Sequence, residues 1–158
     1  MEKKYYLTPA GYQKYKKEYE KLKKLWHEKR KKMKETRDEL WRPEDLNPDY
    51  GALKAELEYL EKKIKHLETM LKNAVVARPH RNLKKVSIGS TVVVEVEGQI
   101  DELTIVGTLE ANPSEGKISN ECPVGKALLG HKVGDEVIIS SPIKVKYKIL
   151  KIKPYKGD

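Results

Sequence analysis

The chain has 158 residues, with 33 Lys and Arg against 24 Asp and Glu, a net charge of +9 and a pI near 9.4. A single cysteine, Cys122, excludes an internal disulfide and any zinc site built on cysteines. No stretch approaches the ~20 apolar residues that would span a bilayer, and Met1–Pro9 has no apolar signal-peptide core, so a cytoplasmic protein without a membrane partner is expected.

The charge is unevenly spread. Residues 1–78 carry 21 basic against 14 acidic side chains, and residues 79–158 carry 12 against 10. A basic segment of this kind suits a polyanionic partner, or it simply keeps a helical surface solvated.

Thr8-Pro9 opens a first helix, with Thr8 as N-cap and Pro9 at a position that needs no N–H. It is expected to run to about Trp41 and to stop before Pro43. Positions 12, 15, 19, 22, 26, 29, 33, 36 and 40 alternate by three and four. They carry Tyr12, Tyr15, Tyr19, Leu22, Trp26, Met33 and Leu40, with Lys29 and Thr36 as polar exceptions. The basic run Arg30, Lys31, Lys32 with Lys34 lies on the same helix. A short acidic turn follows at 42–49, holding Glu44, Asp45 and Asp49. Asn47-Pro48-Asp49 then repeats the helix-start signal, with an acidic side chain against the helix dipole. The second helix, about 48–76, carries Tyr50, Leu53, Leu57, Leu60, Ile64, Leu67 and Leu71 in the same rhythm. Two such stripes joined by so short a turn bury each other as an antiparallel coiled-coil hairpin. At about 1.5 Å per residue each arm would be about 40–45 Å long, with three carboxylates at its far end.

Arg78-Pro79-His80-Arg81-Asn82 reads as a linker, and beyond Val86 the period becomes strand-like. Thr91–Val96, Leu103–Val106, 116–119, Val137–Ser140 and Val145–Ile152 are the expected strands. Gly98, Asn112-Pro113, Gly134-Asp135 and Ser141-Pro142 separate them. One short helix, about Val124–Leu129, ends at Gly130. The expected fold class is α+β in two domains: a coiled-coil hairpin over 1–78 with its tip at 42–49, a linker at 79–83, and a small, mostly antiparallel sheet domain with one short helix over 84–158. The four histidines, His27, His66, His80 and His131, have no partner spacing, so no histidine metal site is expected.

At three places the residues resemble the Gre family of bacterial transcription elongation factors. Leu7-Thr8-Pro9-Ala10-Gly11-Tyr12 is similar to the family's first-helix start, and Asp45-Leu46-Asn47-Pro48-Asp49-Tyr50 to its tip. Gly116-Lys117-Ile118-Ser119, then residues 122–130, then Val133-Gly134-Asp135 resemble its C-terminal signature. The resemblance covers nearly the whole chain. It implies that the sheet domain is FKBP-like and docks on the rim of the secondary channel of bacterial RNA polymerase while the hairpin enters that channel. Ser119, Glu121, Cys122, Pro123 and Val124 are then the candidate polymerase-binding residues. Arg30, Lys31, Lys32 and Lys34 would follow the channel wall or the nascent RNA 3′ segment. Asp45, with Glu44 or Asp49, would take the catalytic place at the tip, Asp45 helping to hold a Mg²⁺ shared with the polymerase active centre while the polymerase cuts its own backtracked RNA. The resemblance thus implies an accessory factor rather than an enzyme, a monomer, with no cofactor bound stably on its own.

The tip departs from the family, which usually reads Gly-Asp-Leu-Ser-Glu-Asn-Ala-Glu-Tyr. Aligned without a gap from Asp45, Pro48 stands where the Glu should be; aligned on Asn47 and Tyr50, the Ser-Glu pair is deleted. Glu44 and Asp49 are the available substitutes, and the spacing leaves both open. A non-cleaving regulator that occupies the channel is therefore the alternative expectation. A prolyl isomerase or chaperone is remote, because residues 79–158 hold no Phe or Trp and only Tyr147 and Tyr155 to line a proline pocket.

Overall fold

The computed structural model describes residues 3–39, 48–78, 84–140 and 143–155. The elements are β1 (Tyr5–Leu7), α1 (Pro9–Glu39), α2 (Pro48–Lys72), β2 (Ala74–Val76), β3 (Ser90–Val96), β4 (Gln99–Val106), β5 (Lys117–Ser119), α3 (Pro123–Leu128), β6 (Glu136–Ser140) and β7 (Lys144–Pro154). They divide into a helical unit, Gln13–Lys72, and a sheet unit made of Met1–Tyr12 together with Asn73–Asp158. This division differs from the expected boundary at 78. The first residues of the chain belong with the sheet, and the linker expected at 79–83 lies outside the described residues.

In the helical unit, half-buried positions along α1 fall at 15, 19, 22, 26, 29, 33 and 36, the expected stripe including its polar members. Leu57, Leu60, Leu67 and Met70 of α2 are buried, with Leu53, Ile64 and Leu71 half-buried beside them. Two polar contacts fix the direction of the pair: Trp26 Nε1 donates to Glu61 Oε1 at 3.2 Å, and Lys29 Nζ meets Glu56 Oε2 at 2.5 Å. As the number rises on α1 it falls on α2, so the helices run antiparallel. Lys29 thus sits on the apolar stripe because its long stem packs while its head reaches a carboxylate.

The second helix ends four residues earlier than expected, at Lys72, and Ala74–Val76 forms β2. β2 pairs in parallel with β1, Tyr5 opposite Ala74 and Leu7 opposite Val76. Leu7 is fully buried and Thr8 nearly so.

The five-stranded sheet has the order β5-β4-β3-β7-β6. Three of its pairings are antiparallel, and the β4–β5 pairing is parallel. Glu97 and Gly98, with φ of 51° and 79°, make a two-residue turn between β3 and β4 of the kind that matches strand twist. On one face Val86, Val92, Val94, Ile105, Leu128, Val137, Ile139, Ile149 and Ile152 form the core, closed by α3. Strict alternation along β7 could not bury both Ile149 and Ile152. The register against β3 slips between Val93, opposite Lys151, and Val94, opposite Ile149, leaving Leu150 as the extra residue of a bulge. The bulge reverses the facing of the strand and returns both isoleucines to the core.

Candidate functional site

The sequence signature folds as a turn between β5 and α3. Cys122 is the N-cap of α3, its Sγ accepting from Gly125 N at 3.3 Å, and Pro123 takes the first helical turn, where no donor is missed. A Cβ on Gly125 would lie 2.1 Å from the carbonyl oxygen of Ser119, so only glycine lets α3 approach β5 this closely. Ser119 Oγ accepts from Glu121 N at 3.1 Å and lies 2.9 Å from Thr108 Oγ1, which in turn donates to Glu121 Oε2 at 2.9 Å. The Glu121 carboxylate is therefore held in place by Thr108, a residue the sequence did not single out.

The five expected binding residues take different roles. Glu121 and Pro123 present exposed side chains. Val124 packs against the core, Cys122 caps a helix and Ser119 shapes the turn. Only the first two offer themselves fully to a partner.

A second constellation surrounds the start of α1. Glu110 accepts from Thr8 N at 2.8 Å through Oε2 and from Thr8 Oγ1 at 2.5 Å through Oε1, while Thr8 Oγ1 accepts from Gly11 N at 3.1 Å. A carboxylate placed there satisfies donors at a helix N-terminus and complements its dipole. A Cβ on Gly11 would fall 2.0 Å from Glu110 Oε1, and one on Gly107 would fall 1.6 Å from Tyr6 O. These two glycines let β1 and the first turn of α1 lie close against the segment 107–110. The Leu7–Tyr12 motif named the first of them without revealing its partner, 99 residues away.

Arg30, Lys31, Lys32 and Lys34 are exposed on α1. The Arg30 guanidinium lies 4.9 Å from the centre of the Trp26 ring, a cation–π distance that leaves its outer edge for other partners. His27, Arg30, Lys31, Lys34 and Arg37 line an open, positively charged groove with Met33. Trp26 itself is half-buried on the stripe and tied to Glu61.

Of the tip carboxylates, Asp49 is exposed in the first turn of α2, directly after Pro48. Glu44 and Asp45 lie outside the described residues. Among the described residues no group of three or more His, Cys, Asp or Glu side chains could hold a metal ion, and no helix is long and apolar enough to cross a membrane.

Two family models match in tandem: transcription elongation factor, N-terminal, over residues 5–76, and transcription elongation factor GreA/GreB, C-terminal, over residues 80–154. The chain is 44% identical over 98 residues to transcription elongation factor GreA of Thermomicrobium roseum, an alignment covering 61% of this chain and 63% of that one. It is 39% identical over 159 residues to the GreA of Halalkalibacterium halodurans, covering 96% and 98%. Among solved structures, GreA factor homolog 1 of Thermus thermophilus is 29% identical, covering 95% of this chain and 99% of that one, with a TM-score of 0.44.

Proposed function

The chain belongs to the GreA/GreB family of transcription elongation factors, and from that premise we propose that it binds bacterial RNA polymerase through Glu121 and Pro123 and places its helical hairpin in the secondary channel. The observation that carries this reading is the exposure of Glu121 and Pro123 on a turn braced by Thr108 and Ser119. A docking surface needs side chains whose positions are fixed before the partner arrives, because ordering them on contact costs affinity. Arg30, Lys31, Lys32 and Lys34 then face the nascent RNA 3′ segment or acidic channel walls, for which their exposure on α1 suits them.

At the tip, Asp45 with Glu44 or Asp49 serves cleavage of backtracked RNA by the polymerase. Carboxylates are the right donors for Mg²⁺, and this ion takes one or two from a protein while keeping waters and phosphate oxygens. The ion supplies Lewis-acid polarisation and a lowered water pKa; the chain's part is to bring its carboxylate to the polymerase centre and to orient it. The factor thereby acts as an accessory monomer in the cytoplasm and not as an enzyme by itself. The absence of the family's tip Glu, replaced by Pro48 or deleted with its Ser neighbour according to the alignment, favours a second reading, a regulator that occupies the channel without supporting cleavage.

One experiment decides between them. Added to stalled, backtracked elongation complexes, the chain should release short 3′ RNA fragments, and Asp45→Asn should stop the release while leaving binding nearly intact. Absence of fragments at every Mg²⁺ concentration, with slowed nucleotide addition, would establish the second reading. Failure to bind polymerase at all would remove both.

A further inference from the structure

The surface around Glu121 continues past the signature onto the first strand of the chain. Lys3, Lys4 and Tyr6 line a shallow cleft with Leu109, Asn120 and Glu121. Tyr6 is 40% exposed and Leu109 38%; Val75, which stands opposite Tyr6 in the β1–β2 pair, is also 38% exposed. Neighbouring large apolar side chains left this open form a patch rather than the scattered singles of an ordinary surface.

A single three-residue turn holds the patch together. Thr108, its first residue, bonds Ser119 and Glu121 of the signature. Glu110, its last, grips Thr8 at the start of α1. Leu109 stands between them on the wall of the cleft. Just before the turn, Gly107 lets the main chain of Tyr6 pass too closely for any side chain to fit. The position of β1 beside the signature is thus built in by close packing and charge-assisted hydrogen bonds.

We infer that Val75, Tyr6 and Leu109 form one docking surface with Glu121 and Pro123, so that the first strand of the chain takes part directly in polymerase binding. An apolar centre bordered by Lys3 and Lys4 and by Glu121 has the composition of an interface core with a charged rim. The complementary face is an apolar patch on polymerase that carries an acidic group toward the lysines and a basic group toward Glu121. The inference rests on the polymerase reading above.

The test is equilibrium binding of the full chain to bacterial core RNA polymerase, with circular dichroism to verify folding. Leu109→Lys and Tyr6→Lys should each weaken binding roughly tenfold or more, since a charge placed in an interface centre is left desolvated. Leu109→Met and Tyr6→Phe should bind like the parent chain. Ile138→Lys, at another exposed apolar residue (65% exposed), should leave affinity unchanged. Should Tyr6→Lys disturb folding, Leu109→Lys carries the result alone. If Glu121→Lys and Pro123→Lys weaken binding while Leu109→Lys does not, the inference is overturned and the docking reading stands. If all of these variants bind like the parent, the docking reading itself fails.

Discussion

The helical and sheet units bury their apolar residues to different depths. Between Gln13 and Arg37 no residue of α1 is fully buried, and the helix offers a half-buried stripe against four buried residues of α2. The sheet unit has a closed core in which Val92, Val94, Ile105, Leu128 and Ile149 have no exposure at all. A stripe needs only the correct period, so it tolerates exchange among apolar residues and even a lysine. A closed core needs particular shapes, and here it also needs glycines at the points of closest approach.

The largest expected effect follows from that contrast. Ile149→Ala should cost about 2–5 kcal/mol of stability, whereas Leu22→Ala on the α1 stripe should cost about 1 kcal/mol. Denaturant titration of both variants checks this, and equal costs would mean the helical unit is as tightly packed as the sheet.

Glycine replacements should sharpen the same contrast by differing in sign. Gly107→Ala forces β1 away from the segment 107–110 and should destabilise by about 1–3 kcal/mol. Gly51 lies on α2 with open space where a Cβ would stand, so Gly51→Ala should stabilise by about 0.4–1 kcal/mol. Thermal melts of the two variants should move in opposite directions.

Polar contacts are expected to rank below packing. Thr8→Ala removes the cap and leaves Glu110 without its hydroxyl donor, costing about 1 kcal/mol. Breaking the largely exposed Lys29–Glu56 pair with Glu56→Gln should cost under about 1 kcal/mol and should matter less as salt is raised. A greater loss for Glu56→Gln would show that polar pairs, not the stripe, set the helix register.

The smallest effect is a dependence on pH. The Asp135 carboxyl is held below its usual range, chiefly by the backbone N–H of Lys132 and further by His131, and Glu136 is lowered by Lys146. Because the folded value is the lower one, this stabilisation is present above the ordinary carboxylate value and is lost as pH falls from there through the lowered folded value. Asp135→Asn should therefore flatten the acid side of a melting-temperature profile and leave its neutral side unchanged apart from a constant offset.

Much of this fold was legible in the sequence because it rests on local period. From Tyr12 to Thr36 the α1 stripe appears as expected, including Lys29, since a helix facing one partner repeats its burial every three or four positions; Leu40, its last expected member, lies outside the described residues. β1 and β2 were not legible. Three residues, Tyr5–Leu7, are too few to show alternation, and their burial depends on Ala74–Val76 and Gly107 far along the chain. Ala74–Ala77 is as compatible with a helix end as with a strand, and only its pairing with β1 decides between them. Nor does any pattern announce the bulge at Leu150, which follows from the register of β7 against β3. Nothing in the signature run announces that Cys122 and Val124 serve the fold while Glu121 and Pro123 are exposed.

The sheet unit is assembled from two separated stretches of chain, with residues 13–72 leaving after the first turn of α1 and returning just before β2. During synthesis β1 is made before its partner and has no strand to pair with until Ala74–Val76 emerges. It also lacks the glycine and carboxylate that complete its seat until residues 107–110 have followed. The intervening helices are read only through their seven-residue rhythm. Deleting one heptad from α1 and the matching one from α2 keeps the stripes aligned and leaves the Tyr5–Ala74 pairing as it is. Helix length is thus an independent variable in this chain, adjustable in steps of about 10 Å per arm without redesigning the sheet unit.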